Sequence, residues 1–196
     1  MNLPNRITLV RIILLPFMVF FYLADFIAPW GKLVAFILFV IAALTDKLDG
    51  YYARKLNQTT ILGNFLDTNA DKLLTNIALL LVVCDGTIPA PYGVLAAIIY
   101  VGRDIVICAL KELAATKNHV FKADNLGRIK AGFQMVGIPA FMFLAFLKQI
   151  TDNKTVLLVF TIISIVTFVI ATALTLISMI NYLVKNREFF NEDEGK

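Results

Sequence analysis

An all-α, polytopic membrane protein is the fold class this sequence predicts, and three observations carry it. Hydrophobic residues make up 59% of the 196 positions and charged residues only 16%, with a mean hydropathy of +0.79. A water-soluble domain of this size could not hide that much apolar surface. The apolar residues gather into six segments, near 7–29, 33–56, 61–84, 91–115, 129–149 and 154–184, each approaching the ~20 residues that a spanning helix needs. The basic residues are one-sided. If the segments alternate in direction, only Lys32, Lys148 and Lys154 fall on one face, and the other fifteen of the eighteen Lys and Arg fall on the opposite one. By the positive-inside rule the second face, with both termini, is cytoplasmic.

The elements follow in order within a single domain over 1–196. Residues 1–11 place Asn5, Thr8 and Arg11 three apart on one helical face, which predicts a short interfacial amphipathic helix beside the membrane before the first span. No A-x-A-like cleavage site ends the first apolar run, so it is expected to be a retained span. Short links at 29–32, 85–89 and 148–154 predict hairpins, with Trp30 and Tyr92 as interfacial anchors. The sixth span is the least ambiguous, because Thr155 to Ile180 contains no charged residue. Residues 185–196 read as a polar cytoplasmic tail. Cys84 and Cys108 lack any C-x-x-C spacing and read as small helix residues, and His119 reads as a surface residue of a basic loop. Nothing predicts a nucleic-acid partner.

Four carboxylates stand where a membrane protein should avoid them. Asp46 and Asp49 are three apart near the end of the second segment, and Asp67 and Asp71 are four apart near the start of the third. Each pair therefore shares a helical face, and two antiparallel helices can converge all four. Unneutralised, they would repel one another, so they must bind protons or cations. Oxygen-only ligation points to Mg²⁺ or Mn²⁺, with room for two ions. Gly50 and Ala53 leave a stripe bare of side-chain bulk, followed by Arg54, which suits a nucleotide and its phosphates as well as close helix packing. An EF-hand fails on spacing. A divalent-cation transporter is the competing class, but it calls for acids spread across the membrane, whereas these cluster at one end.

At these residues the chain resembles the CDP-alcohol phosphotransferase family, whose signature is D-x₂-D-G-x₂-A-R-x₈-G-x₃-D-x₃-D. All eight fixed positions are present: Asp46, Asp49, Gly50, Ala53, Arg54, Gly63, Asp67 and Asp71. With residue frequencies near ~5–7%, a chance match is on the order of one in 10⁷ or rarer. The opening Asn2 to Arg11 and the stretch Leu126-Gly127-Arg128-Ile129-Lys130 are similar to bacterial members that transfer a phosphatidyl group from CDP-diacylglycerol to glycerol 3-phosphate and release CMP. Members using phosphatidylglycerol or an inositol phosphate as acceptor are the alternatives.

The resemblance implies a homodimer in the cell membrane with a cytoplasmic active site. It assigns Asp46, Asp49, Asp67 and Asp71 to the metal, and Asp71 also to the general base. Asn5, Gly50, Ala53, Arg54 and Gly63 fall to the CDP moiety. An acceptor that carries its own phosphate needs a second cationic site, and Arg103, at a depth where a charge needs a partner, is expected to form it with Thr8, Lys111 and Arg128. Related enzymes often carry Arg and Lys where this chain has Lys111 and Arg128, an exchange that alters phosphate geometry.

Overall fold

The computed structural model describes the backbone of residues 3–55, 61–116 and 125–186, and side chains over 8–45, 63, 66, 69–114 and 126–186. Every regular element among them is helical. The order is α1 (Leu3–Leu23), a 3₁₀ turn (Asp25–Ile27), α2 (Trp30–Lys55), α3 (Ile61–Cys84), α4 (Ala90–Thr116), α5 (Asn125–Ile150) and α6 (Lys154–Lys185). Short connections force neighbours to run antiparallel. The α1–α2, α3–α4 and α5–α6 turns therefore share one end of the bundle, and the starts of α1, α3 and α5 share the other with the ends of α2, α4 and α6.

Among the described residues three helices are long and apolar enough to cross a membrane: Ala90–Ala114, Leu126–Ile150 and Lys154–Lys185. Thr8–Leu23 and Trp30–Thr45 form shorter apolar stretches. At 32 residues, α6 is about 48 Å long, well over the ~30 Å of a hydrocarbon core.

The first segment differs from its expectation in two ways. Its helix ends at Leu23 rather than 29, because the chain already reverses at 24–29: the N–H groups of Ile27 and Ala28 bond back to the carbonyls of Ala24 and Asp25. At the other end, residues 3–11 run without a break into the apolar stretch, so the short helix expected over 1–11 is not a separate element. Pro16 is accommodated inside α1. Thr8 and Arg11 are 2% and 1% exposed, while Leu9, Val10, Ile13, Phe17 and Phe20 face outward. The polar face of α1 points into the bundle and the apolar face out, as a hydrocarbon solvent demands.

α6 shows the same inversion from Ser164 to Tyr182. Its buried face is Ser164, Ala171, Thr175, Ser178 and Tyr182, and Leu158, Ile162, Ile165, Val169 and Ile180 are exposed. The hydroxyls of Ser164, Thr172 and Thr175 donate to carbonyls one turn earlier at 2.7–2.8 Å, so they enter a packed interface already satisfied. Asn153 caps α6, its side-chain oxygen accepting from the N–H groups of Thr155 and Val156 at 3.1 and 3.3 Å. The core joins Met18 and Leu15 of α1, Phe39 of α2, Leu74 and Val82 of α3, Tyr100 of α4 and Met142 of α5. Ala35, Ala42, Ala78, Ala145 and Ala171 lie among them and let the helices approach.

One polar knot fixes the turn end. Asp85, in the α3–α4 turn, accepts hydrogen bonds from Tyr22 of α1 at 2.7 Å, Lys32 of α2 at 2.9 Å and the Thr87 N–H at 2.8 Å. Gly86 follows with φ +74°, a left-handed conformation that glycine adopts without cost. Burial by itself would raise the Asp85 carboxyl, but the hydrogen bonds from Thr87, Lys32 and Tyr22 hold it below the usual carboxylate range.

Candidate active site

Both groups of residues singled out by the sequence belong to the end of the bundle opposite the turns. α2 is unbroken to Lys55 and α3 is helical from Ile61, so positions 46, 49 and 53 share one face of α2, and 63, 67 and 71 share one face of α3. The side chains of Asn5, Asp46, Asp49, Gly50, Ala53, Arg54 and Asp67 lie outside the described residues, as does their convergence. Asp71 is half-buried between the buried Ala70 and Leu74, and the Thr75 hydroxyl donates to its backbone carbonyl at 3.2 Å. Gly63 is half-buried. α3 packs on α1, α4 and α5 and more lightly on α2.

The second group is described in atomic detail. Arg103 of α4 donates from Nη1 to Asp104 Oδ1 at 3.0 Å and from Nη2 to Ser178 Oγ of α6 at 3.2 Å. Lys130 of α5 donates from Nζ to the same Asp104 oxygen at 3.1 Å. The three charged side chains are 12%, 12% and 5% exposed in the order Arg103, Asp104, Lys130. Gly127 makes room for the guanidinium. A Cβ there would stand 3.1 Å from Arg103 Nη2, so the arginine lies directly against the first turn of α5.

Among the described residues the charges do not balance. Two buried cations share one carboxylate, Lys72 lies within electrostatic reach of Lys130, and the amino end of α5 adds the positive pole of a helix dipole. Arg103 Nε is buried with no hydrogen-bond partner among the described residues. An excess of buried donors at a helix amino terminus is the arrangement that takes up a phosphate or other anion.

The expected basic set is only partly brought together. Arg103 and Thr8 are inward, whereas Lys111 and Arg128 are exposed. The residue that sequence reasoning passed over is Lys130. Helical phase could have found it: Lys130, Gln134, Ile138, Phe141 and Ala145 form the buried stripe of α5, and Arg128 falls off it.

A membrane-type helical bundle, with an acidic signature on two helices and a cluster of buried cations at the same end, fits a class of phosphoryl-group-transferring enzyme. The family model for CDP-alcohol phosphatidyltransferases matches residues 1–184, and the chain belongs to that family. Among its relatives, the CDP-diacylglycerol–glycerol-3-phosphate 3-phosphatidyltransferase of Bacillus subtilis (strain 168) is 39% identical over 153 residues, covering 72% of this chain and 76% of the relative. The enzyme of the same name from Salmonella choleraesuis (strain SC-B67) is 36% identical over 184 residues, 93% of each chain. That from Pseudomonas fluorescens is 42% identical over 134 residues, 67% of this chain and 61% of the relative.

Proposed function

We propose that the chain transfers the phosphatidyl group of CDP-diacylglycerol to glycerol 3-phosphate, giving phosphatidylglycerophosphate and CMP. The observation that carries the reading is the buried, positively unbalanced cluster of Arg103, Asp104 and Lys130 at the end of the bundle that bears the acidic signature. The enzyme needs one site for a diphosphate with its metal and one for an acceptor that is itself phosphorylated. The names of the relatives support the same pair of substrates.

The donor set at 46, 49, 67 and 71 consists of carboxylates alone, which fits a hard divalent cation, Mg²⁺ or Mn²⁺, as one or two ions. Bound there, the metal supplies neutralisation of the diphosphate and of the departing CMP. Asn5, Gly50, Ala53, Arg54 and Gly63 hold the CDP moiety. Arg103 and Thr8, with Lys111 and Arg128 nearer the surface, hold the acceptor phosphate, and Lys130 joins them. The acceptor hydroxyl oxygen forms its bond to the phosphatidyl phosphorus while the bond to the CMP oxygen breaks. Asp71 takes the hydroxyl proton.

In this reading all six helices cross the cell membrane, residues 1–11 lie at its cytoplasmic surface with the active site, and the protein works as a homodimer. The test is CMP release from CDP-diacylglycerol by purified protein across a panel of acceptors. Release should require glycerol 3-phosphate and should stop on chelation of divalent metal. No release with any acceptor would overturn the enzymatic reading, and release with phosphatidylglycerol or inositol phosphate instead would reassign the acceptor.

A further inference from the structure

We propose that Asp104 is a positioning residue for the acceptor side of the site. Its carboxylate holds Arg103 and Lys130, from two different helices, as a preset clamp on the acceptor phosphate. The proposal rests on the reading of Arg103 as part of the acceptor-phosphate site.

The geometry points to this role because one oxygen serves both cations. Asp104 Oδ1 accepts from Arg103 Nη1 at 3.0 Å and from Lys130 Nζ at 3.1 Å. Two like charges held that close in an apolar interior repel, and the anion between them offsets that repulsion. The carboxylate engages few of the available donors. An ammonium has three and a guanidinium five, so Lys130 keeps further N–H groups for a ligand, and Arg103 Nε has no partner among the described residues.

Among the described residues α4 packs mainly on α3 and α6 and only lightly on α5, so the Asp104–Lys130 pair is one of few links between α4 and α5, beside Arg103 over Gly127. Arg103 is pinned on its other side by Ser178 and by the space over Gly127. Among the described residues Lys130 is anchored by Asp104. Taking the carboxylate away therefore releases Lys130 first and leaves the two halves of the clamp to separate.

The test is steady-state kinetics on the full chain in detergent–lipid micelles, with both substrates varied. Asp104→Asn should raise the KM for glycerol 3-phosphate on the order of tenfold, the loss expected for a charged hydrogen bond, and should leave the KM for CDP-diacylglycerol within about twofold. Asp104→Glu, which keeps the charge one methylene further out, should fall between Asn and the native residue. Asp104→Asn/Lys130→Gln should be no worse than Lys130→Gln alone, because the effect runs through Lys130. An unchanged acceptor KM in Asp104→Asn, equal rises for both substrates, or effects that add in the double variant would each overturn the clamp. Should Asp104→Asn fail to fold, Asp104→Glu carries the test, and an unchanged acceptor KM there overturns the proposal. Arg103→Ala separates the two levels. If it leaves the acceptor KM unchanged, the acceptor-site reading fails; if it raises that KM while Asp104→Asn does not, only the clamp fails.

Discussion

The two ends of the bundle each carry a buried aspartate tied to helices around it, and they differ in charge. Asp85 at the turn end meets one ammonium, one phenol and one backbone N–H, so acid and base cancel. Asp104 at the opposite end meets two cations through one oxygen and leaves a net positive charge beside a helix amino terminus. The first knot is complete as it stands and locks α1, α2 and the α3–α4 turn together. Among the described residues the second is short of an anion, as the proposed acceptor-phosphate site would require and a brace would not.

The largest expected effect belongs to the acidic signature. Asp46→Asn or Asp67→Asn should abolish CMP release, and wild-type turnover in either would remove the metal from that end. Asp71→Asn should cut kcat by about 10²–10⁴, the range of general-base catalysis, while changing the metal concentration needed for half-maximal rate much less. A loss of metal response with no fall in kcat would reverse its role.

Next comes Arg103→Ala, which should raise the KM for glycerol 3-phosphate by tenfold or so, as for other hydrogen bonds to charged groups. An effect seen only on CDP-diacylglycerol would put Arg103 on the donor side. Lys111→Ala and Arg128→Ala should move the same constant by under about threefold, because exposed charges are well screened. A larger effect than that of Lys130→Ala would return the site to the surface pair.

At the turn end the contrast predicts stability without kinetics. Asp85→Asn should cost about 1–3 kcal/mol, as for a buried charged hydrogen bond lost, and leave both KM values unchanged. The folded Asp85 carboxyl is held below its usual range, so its contribution is full above the unfolded value of about 4 and is lost as pH falls through the lower folded value. Melting temperatures of wild type and Asp85→Asn should therefore differ at pH 7 and converge in acid below about pH 4. Equal melting at pH 7 would make the knot incidental.

Much of this was legible in the sequence, for identifiable reasons. The uncharged run Thr155 to Ile180 could only be a long apolar helix, and α6 is one. The eight-position signature named the family before any coordinate did, and the match over residues 1–184 agrees. Less legible was direction. Asn5, Thr8 and Arg11 suggested a wetted face, yet Thr8 and Arg11 turn inward, because in hydrocarbon the polar side of a helix seeks its neighbours. Lys130 was hidden because charges were weighed by position along the chain, while burial follows the phase of the helix. Asp85 gave no sequence signal at all, since its partners lie 63 and 53 residues away.

The length of α6 bears on where the two substrates can meet. Ser178, which holds Arg103, stands 24 residues after Lys154, or about 36 Å along the axis, against a hydrocarbon layer of about 30 Å. If Lys154 stands at one boundary of that layer, as the proposed membrane arrangement has it, the arginine stands near the other boundary between oil and water. A donor anchored by its fatty tails and an acceptor dissolved in the aqueous phase could meet there, with neither having to leave its own solvent.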